Sequence, residues 1–387
     1  MNPIAVAVLK SFTESFSSQP KIYFSPGRIN LIGEHVDYND GFVMPAAINK
    51  GVYYAIAENG SNEIHFYAMD FNEWLSVGTT DFKRMNGWKN YALSVVNEFL
   101  LLGCTIKGFN CVFAGDIPRG SGMSSSAAVE GGLAFALNEI LQTGLTRVEL
   151  ALLCQRAEHN FPNVNCGIMD QFANMMGKQE QVLLLDCRSM QHQYFPLHMD
   201  GYKIVLINTN VQHALVTGEY NIRRQRCEEG LSILKSHLNI QSFRDITRVE
   251  DLQVYKSHMP EKVYNCCRFV IEEIARTKKA AELLQAGDLI AFGKLMYTTH
   301  KGLSELYEVS CRESDFLVEL ADKNQSVIGS RQMGGGFGGC SINIVAEEGI
   351  ENFIKETSAA YLQKFNIKPE AYIMETADGT KEITITP

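Results

Sequence analysis

Three short stretches gather the side chains that could do chemistry. The loop from Pro26 to Gly41 carries Arg28 and then Glu34, His35, Val36 and Asp37 in succession, so its polar members can converge on one ligand such as a polyhydroxylated sugar. Carboxylates accept hydroxyl hydrogen bonds, and a site that pairs hydroxyls rejects analogues lacking them. A solvated acidic loop with a turn at Asn39-Asp40-Gly41 fits the same residues. The second stretch is Pro118-Arg119-Gly120-Ser121-Gly122-Met123-Ser124-Ser125-Ser126-Ala127, between a strand pattern and a helical one. A helix N-terminus offers an anion free N–H groups and the positive end of the macrodipole. Gly120 and Gly122 let backbone approach a phosphate, and Ser124, Ser125 and Ser126 add hydroxyl donors. A Walker A loop is excluded because no Lys follows Gly120, and a GxGxxG fingerprint because position 125 is Ser. A Ser-rich turn that only caps a helix is the alternative. In the third stretch, Glu158 reads either as a metal ligand or as a surface carboxylate near a helix end. Asp170 sits among apolar neighbours in Cys166-Gly167-Ile168-Met169-Asp170-Gln171-Phe172, so if buried it needs a partner. Arg28 is the candidate, for a structural salt bridge or for chemistry.

The elements that must position these stretches can be read from periodicity. Asn2 and Pro3 open a short helix, as N-cap and first helical residue. Strands are expected at Lys21–Ser25, Gly51–Ala57, Glu63–Tyr67 and Phe109–Phe113, and a helix from Trp88 to Leu102. After the serine loop, Val129, Leu133, Leu137, Ile140 and Leu141 form one apolar helical stripe, in which Gly131 and Gly132 imply close backbone packing. Thr146 and Glu149 form a capping box for the next helix. Strands at Gln181–Leu185 and Lys203–Thr209 bracket a domain boundary near residue 200, which divides the chain into 1–200 and 201–387. Helical patterns then cover Thr217–Leu238, Val263–Leu284 and Leu289–Tyr307, and Gly334–Gly339 precedes a strand at Cys340–Val345. Strand patterns at Tyr372–Thr376 and Glu382–Thr386 around Asp378-Gly379 predict a terminal hairpin. Strands and helices mix without regular βα alternation, so the fold class is α+β.

Composition narrows the function. The chain has 387 residues, 45% hydrophobic and 20% charged, too apolar for a disordered chain. A net charge of −9 and the lack of a basic block argue against nucleic-acid or polybasic membrane partners. No apolar run approaches a membrane span, and the run Ile4–Leu9 stops short of a signal peptide. Ten cysteines without a CxxC pair suit a reducing compartment, so a cytoplasmic location is expected.

Together the motifs resemble those of the GHMP family of small-molecule kinases, and within it the galactokinases. Gly27 to Tyr38 is similar to the galactokinase signature, Pro118 to Ala127 to the shared ATP loop, and Gly334 to Cys340 to the third glycine-rich motif. Their order and spacing extend the resemblance over essentially the whole chain. It implies a two-domain GHMP kinase fold with the active site in the inter-domain cleft. The implied reaction is Mg²⁺- and ATP-dependent phosphorylation of the C1 hydroxyl of α-D-galactose, giving galactose 1-phosphate and ADP. By the same resemblance, Glu34, His35, Val36, Asp37, Gly167 and Tyr220 would contact the sugar. The loop Gly120, Ser121, Gly122, Met123, Ser124, Ser125 and Ser126 would hold the ATP phosphates, Trp88 would line the adenine pocket, and Ser126 with Glu158 would position Mg²⁺. Arg28 and Asp170 would be the reacting pair, with Asp170 accepting the C1 hydroxyl proton or only orienting that hydroxyl. Met123 replaces the family's usual Leu, and Met333 a common Thr. The implied partners are galactose and ATP alone, with the protein a monomer. An N-acetylgalactosamine or other sugar 1-kinase and an inactive galactose/ATP sensor are the alternatives, although the intact Ser124-Ser125-Ser126-Ala127 favours a working enzyme.

Overall fold

The computed structural model describes residues 2–197, 199–212 and 216–385. The chain begins with α1 (Pro3–Ser15), β1 (Lys21–Asn30), β2 (Phe42–Val43), β3 (Pro45–Glu58), β4 (Glu63–Ala68) and β5 (Glu73–Gly78). It continues through α2 (Trp88–Leu101), β6 (Phe109–Gly115), α3 (Ser125–Leu141), α4 (Arg147–Asn160), α5 (Met169–Met176), β7 (Gln181–Asp186) and β8 (His192–Pro196). Then come β9 (Tyr202–Gln212), α6 (Val216–Lys235), α7 (Glu250–Gln253), α8 (Glu261–Gln285), α9 (Leu289–Glu305) and α10 (Arg312–Asp322). The last elements are β10 (Val327–Gln332), β11 (Gly338–Ala346), α11 (Ile350–Phe365), β12 (Glu370–Met374) and β13 (Lys381–Ile383). Among the described residues, no helix is long and apolar enough to cross a membrane.

The first large sheet has the order β13-β1-β3-β6-β4-β5, antiparallel except where β4 meets β6. Alternation along β3 divides its two faces. Tyr53 and Ala55 pack with Ala5, Val8 and Phe12 of α1, while Val52, Tyr54 and Ile56 join the core under α2, α3 and α4. Local chemistry sets the helix starts. The Asn2 side chain accepts the Ile4 N–H at 2.8 Å, and Thr146 with Glu149 makes a complete capping box. On the α3 stripe Leu133 and Leu137 are buried and Val129, Ile140 and Leu141 pack half-buried against the same core, and the expected glycine packing is present: a Cβ on Gly132 would lie 2.3 Å from the Tyr54 ring.

The second sheet, β10-β11-β9-β12, is likewise sided. Val205 and Ile207 of β9 pack with Leu317, Phe353 and Tyr361 of α10 and α11. Ile204 and Leu206 share a cluster with Ile29, Leu31, Met123 and Met333, so the segments carrying all three sequence motifs close on one apolar seam. A small third sheet, β2-β7-β8, completes the fold.

Two expectations need correction. The first strand does not stop at Ser25 but runs to Asn30, with only a register irregularity between Pro26 and Arg28. Pro-Gly there makes a bulge within the strand instead of opening the loop, and Arg28 is a strand residue. The terminal segment is not a hairpin either: β12 pairs with β9, whereas β13 pairs with β1 in the other sheet. Gly379 is required by close approach, because a Cβ there would lie 2.4 Å from the Met175 carbonyl oxygen. The expected end of the last strand, Thr386, lies outside the described residues.

Candidate active site

The paired charges meet. Arg28 Nε donates to Asp170 Oδ1 at 2.8 Å, from β1 to the first turn of α5, although 142 residues separate them. Arg28 is buried, and its Nη1 also donates to the Gly122 carbonyl. The Arg28 backbone N–H donates to Met123 O at 3.1 Å, which fastens the serine loop to β1. Ser124 donates its hydroxyl to Asp170 Oδ2. Its side chain therefore does not cap α3, and among the described residues the first-turn amides of that helix have no side-chain acceptor. Ser124 (φ 59°) and His35 (φ 60°) both occupy the left-handed region, a strained choice for non-glycine residues that concentrates where function over-determines the backbone.

On one side of this pair lies a cavity of about 160 Å³ lined by Arg28, Glu34, His35, Asp37, Gly167, Asp170 and Tyr220, with Glu158 and the Gly334-Gly335 backbone. Each charged wall is held. Glu34 Oε1 accepts from Arg331 Nη1 at 3.0 Å and from the Gly334 N–H at 2.9 Å. Burial raises the Glu34 pKa, but the Arg331 and Arg28 charges and the Gly334 amide outweigh it and keep the carboxyl below its ordinary range. His35 is pushed down to about 4 by burial, against the pull of Glu34, so it is a neutral imidazole at pH 7. Its Nδ1 pairs with Tyr38 Oη at 2.8 Å, and Tyr38 pairs in turn with Tyr307 Oη at 2.8 Å. His35 Nε2 has no partner among the described residues. Asp37 is raised to about 7 by burial and by the charges of Asp170 and Glu34. Only glycine fits beside it, since a Cβ on Gly167 would lie 2.0 Å from Asp37 Oδ2. Val36 does not reach this cavity; its side chain is buried in the core.

On the other side is a more open cavity of about 650 Å³ with Phe71, Trp88, Tyr91, Phe113, Arg119, Ser125 and Ser126 among its walls. Trp88 Nε1 donates to Glu73 Oε2 at 3.1 Å, which fixes the indole. Gly120, Ser121, Gly122 and Met123 do not line this cavity, and Met123 packs with Ile29 and Met333 in the seam. Met333 is thus a buried core side chain in the same cluster as Met123. Between the cavities stands Glu158, which is 6% exposed and not a surface carboxylate. Burial and the Asp170 charge raise it to about 7, opposed by Cys166, Ser126 and Gln171.

Arg331 was missed by sequence reasoning. It is fully buried, and besides Glu34 it donates to the carbonyls of Asn30, Leu31 and Gln332. The available signal was a lone Arg three residues before the glycine run.

An anion-ready helix start, an enclosed polar cavity beside it and a carboxylate–guanidinium pair between them define a small-molecule kinase of the GHMP type. Matches to known families agree: residues 90–178 match the GHMP kinase N-terminal domain, 280–361 the GHMP kinase C-terminal domain, and 10–58 the galactokinase galactose-binding signature. The chain belongs to the galactokinase family. It is 39% identical over 386 residues to the galactokinase of Clostridium beijerinckii, covering 98% of this chain and 99% of that one. To the galactokinase of Clostridium acetobutylicum it is 41% identical over 371 residues, 94% of each. The crystal structure of Lactococcus lactis galactokinase complexed with galactose superposes with a TM-score of 0.94 at 32% identity, over 98% of this chain and 99% of that one. A mevalonate kinase, at 18% identity and a TM-score of 0.62 over 92% and 99%, shares the fold.

Proposed function

We propose that the protein phosphorylates the C1 hydroxyl of α-D-galactose, with ATP as co-substrate, to give galactose 1-phosphate and ADP. The observation that carries this reading is the position of Asp170. It lines the sugar-sized cavity and is tied through Ser124 to the loop whose Ser125 and Ser126 line the other. Phosphoryl transfer has a loose transition state, so positioning and electrostatics supply most of the rate. In this reading Glu34, His35, Asp37, Gly167 and Tyr220 hold the sugar. His35 Nε2 and the carboxylates pair its hydroxyls, which is what rejects sugars of other stereochemistry. Asp170 accepts the C1 hydroxyl proton as the oxygen bonds to the γ-phosphorus and the bond to ADP breaks. Arg28 holds the Asp170 carboxyl in place through its Nε and faces the charge on the transferring group. The uncapped start of α3 and the serine hydroxyls hold the phosphates, and Trp88 borders the base.

Mg²⁺ fits the remaining donors. Ser126 and Glu158 offer hydroxyl and carboxylate oxygens, and burial has made the Glu158 carboxylate reluctant to ionise without a cation. The described residues hold no cluster of three metal-binding side chains, as suits an ion bound mainly through substrate phosphates. Bound there, it would neutralise charge on the β- and γ-phosphates. We also propose two domains, 1–200 and 201–387, and a cytoplasmic monomer, the compartment supported by ten cysteines without a CxxC pair.

Purified protein incubated with ATP, Mg²⁺ and galactose should yield galactose 1-phosphate. No product above an Asp170→Asn control would end the proposal. A panel of galactose, N-acetylgalactosamine, glucose and 2-deoxygalactose should rank galactose first.

A further inference from the structure

A cavity of about 490 Å³ opens at the far end of α5 from Asp170 and shares no residue with the two cavities described above. Its walls come from segments far apart in the chain: Arg147 at the start of α4, Lys178 after α5, His192 and Tyr194 of β8, and Asp378 with Lys381 at the start of β13. Three basic side chains and one carboxylate line it, a local excess of positive charge on a chain whose net charge is −9. The carboxylate is already engaged. Asp378 Oδ2 accepts from Lys381 Nζ at 2.7 Å, and its Oδ1 accepts from the Gln179 N–H at 3.2 Å. Arg147 and Lys178 have no carboxylate partner among the described residues.

A structural duty accounts for part of Arg147. Its Nη1 donates to Met175 O at 2.6 Å at the end of α5, and its guanidinium rests 5.0 Å from the centre of the Phe135 ring. That uses one of five N–H donors. Burial lowers the Arg147 pKa against the opposing pull of Tyr194 and Asp378, so an anion beside it would offset a cost the fold already bears. Lys178 has no such duty. Its Nζ stands 3.9 Å from the centre of the Tyr194 ring, an aromatic face that holds a cation without neutralising it. Free carbonyls at a helix C-terminus would repel an anion. Here Arg147 occupies Met175 O, and Tyr194 Oη donates to Met176 O at 2.7 Å. Phosphate oxygens match both the guanidinium fork and the ammonium point charge. We propose that this cavity binds a phosphate group, free or carried by a small monoester such as a sugar phosphate, between Arg147, Lys178 and Lys381. Bound there, the anion bridges α4 and the segment after α5 to the terminal strand, where Gly379 already donates its N–H to Gly177 O at 2.8 Å. The inference stands apart from the reaction proposed above.

The test is calorimetric titration of the full-length protein with inorganic phosphate, glucose 6-phosphate and glucose. Galactose, Mg²⁺ and a non-hydrolysable ATP analogue are kept in excess to fill the other two cavities. Phosphate or its ester should bind once per chain with a Kd of about 1 mM or tighter, and glucose should not bind. Tighter binding of glucose 6-phosphate identifies a monoester site, and equal binding a site for the free anion. Lys178→Met should weaken binding about 10-fold, as should Arg147→Lys, which keeps the charge and loses the planar fork. The thermal midpoint should rise with phosphate concentration in the parent and rise less in Lys178→Met. Lys178 is exposed, so its variant decides the matter even if Arg147→Lys fails to fold. No saturable binding of either phosphate compound below about 10 mM overturns the inference. So does binding that Lys178→Met retains at the parent's affinity, since the anion would then sit elsewhere, or binding of glucose as tight as that of its ester. If galactose and the ATP analogue do not bind, the reaction proposed above fails, and the two variants still decide whether the anion occupies this cavity.

Discussion

The two cavities that flank Asp170 are built on opposite plans. The sugar-side cavity is small and walled by ionisable groups, of which Glu34 is fixed by Arg331 and Asp170 by Arg28 from distant segments. The nucleotide-side cavity is about four times larger and open, with aromatic rings and serines from one continuous region between Val52 and Val129. Stereochemical choice between hexoses requires hydroxyl partners that cannot move, and so buried charge with long-range support. Binding a triphosphate requires backbone N–H groups and an aromatic slot, which a single loop and helix supply. Substitutions should therefore divide cleanly between the two sides.

The largest expected effect lies where the sides meet. Asp170→Asn should lower kcat about 10³-fold while nucleotide affinity changes little, as read by steady-state kinetics and by calorimetry with an ATP analogue. A comparable loss of nucleotide affinity would erase the division. Next comes the support for the sugar wall. Arg331→Met leaves Glu34 buried without its guanidinium and should destabilise the fold by about 3–5 kcal/mol in urea denaturation. A loss under about 1 kcal/mol would show that the wall stands without it.

The third expectation concerns pH. Asp37 has a pKa raised from 3.8 to about 7, so the native state holds a proton that the unfolded chain releases. The native protein binds more protons between those values, so this group's contribution to stability falls as pH rises from about 4 to about 7. Asp37→Asn removes that slope. Relative to the parent, the ligand-free variant should gain about 3 kcal/mol between pH 5 and pH 8, measured by denaturation at each pH. A constant difference would place Asp37 in a less demanding environment. The smallest effect belongs to the open side: Trp88→Leu should raise KM for ATP about 10-fold and leave that for galactose unchanged.

The two sides also differed in how far the sequence disclosed them. The serine loop and the following helix are contiguous, and their local structure followed from composition and periodicity, as did the separate helix that Trp88 opens. The pairing of Arg28 with Asp170 was legible only as a need, because a buried Asp among apolar neighbours requires a cation. Arg331 was illegible: its meaning depends on β10 lying against the Asn30–Leu31 backbone, a contact that spans 300 residues. Glu158 looked like a helix-end surface acid because its burial comes from Cys166 and Gln171, which the following loop folds back over it. The terminal Asp-Gly misled for a related reason. A glycine forced by a neighbouring carbonyl has the same spelling as one demanded by a tight turn.

The placement of β13 also has a consequence for biosynthesis. One edge of β1, the strand that carries Arg28, is completed only by Lys381–Ile383, and Thr380 reaches from that segment to Ser25 and Asn174 under the site. On the ribosome, that edge stays open until Lys381–Ile383 have emerged, long after β1 itself, and an unpaired strand edge invites self-association. A prematurely terminated chain would therefore lack both the lock on its phosphoryl-transfer machinery and the cover that keeps nascent copies apart.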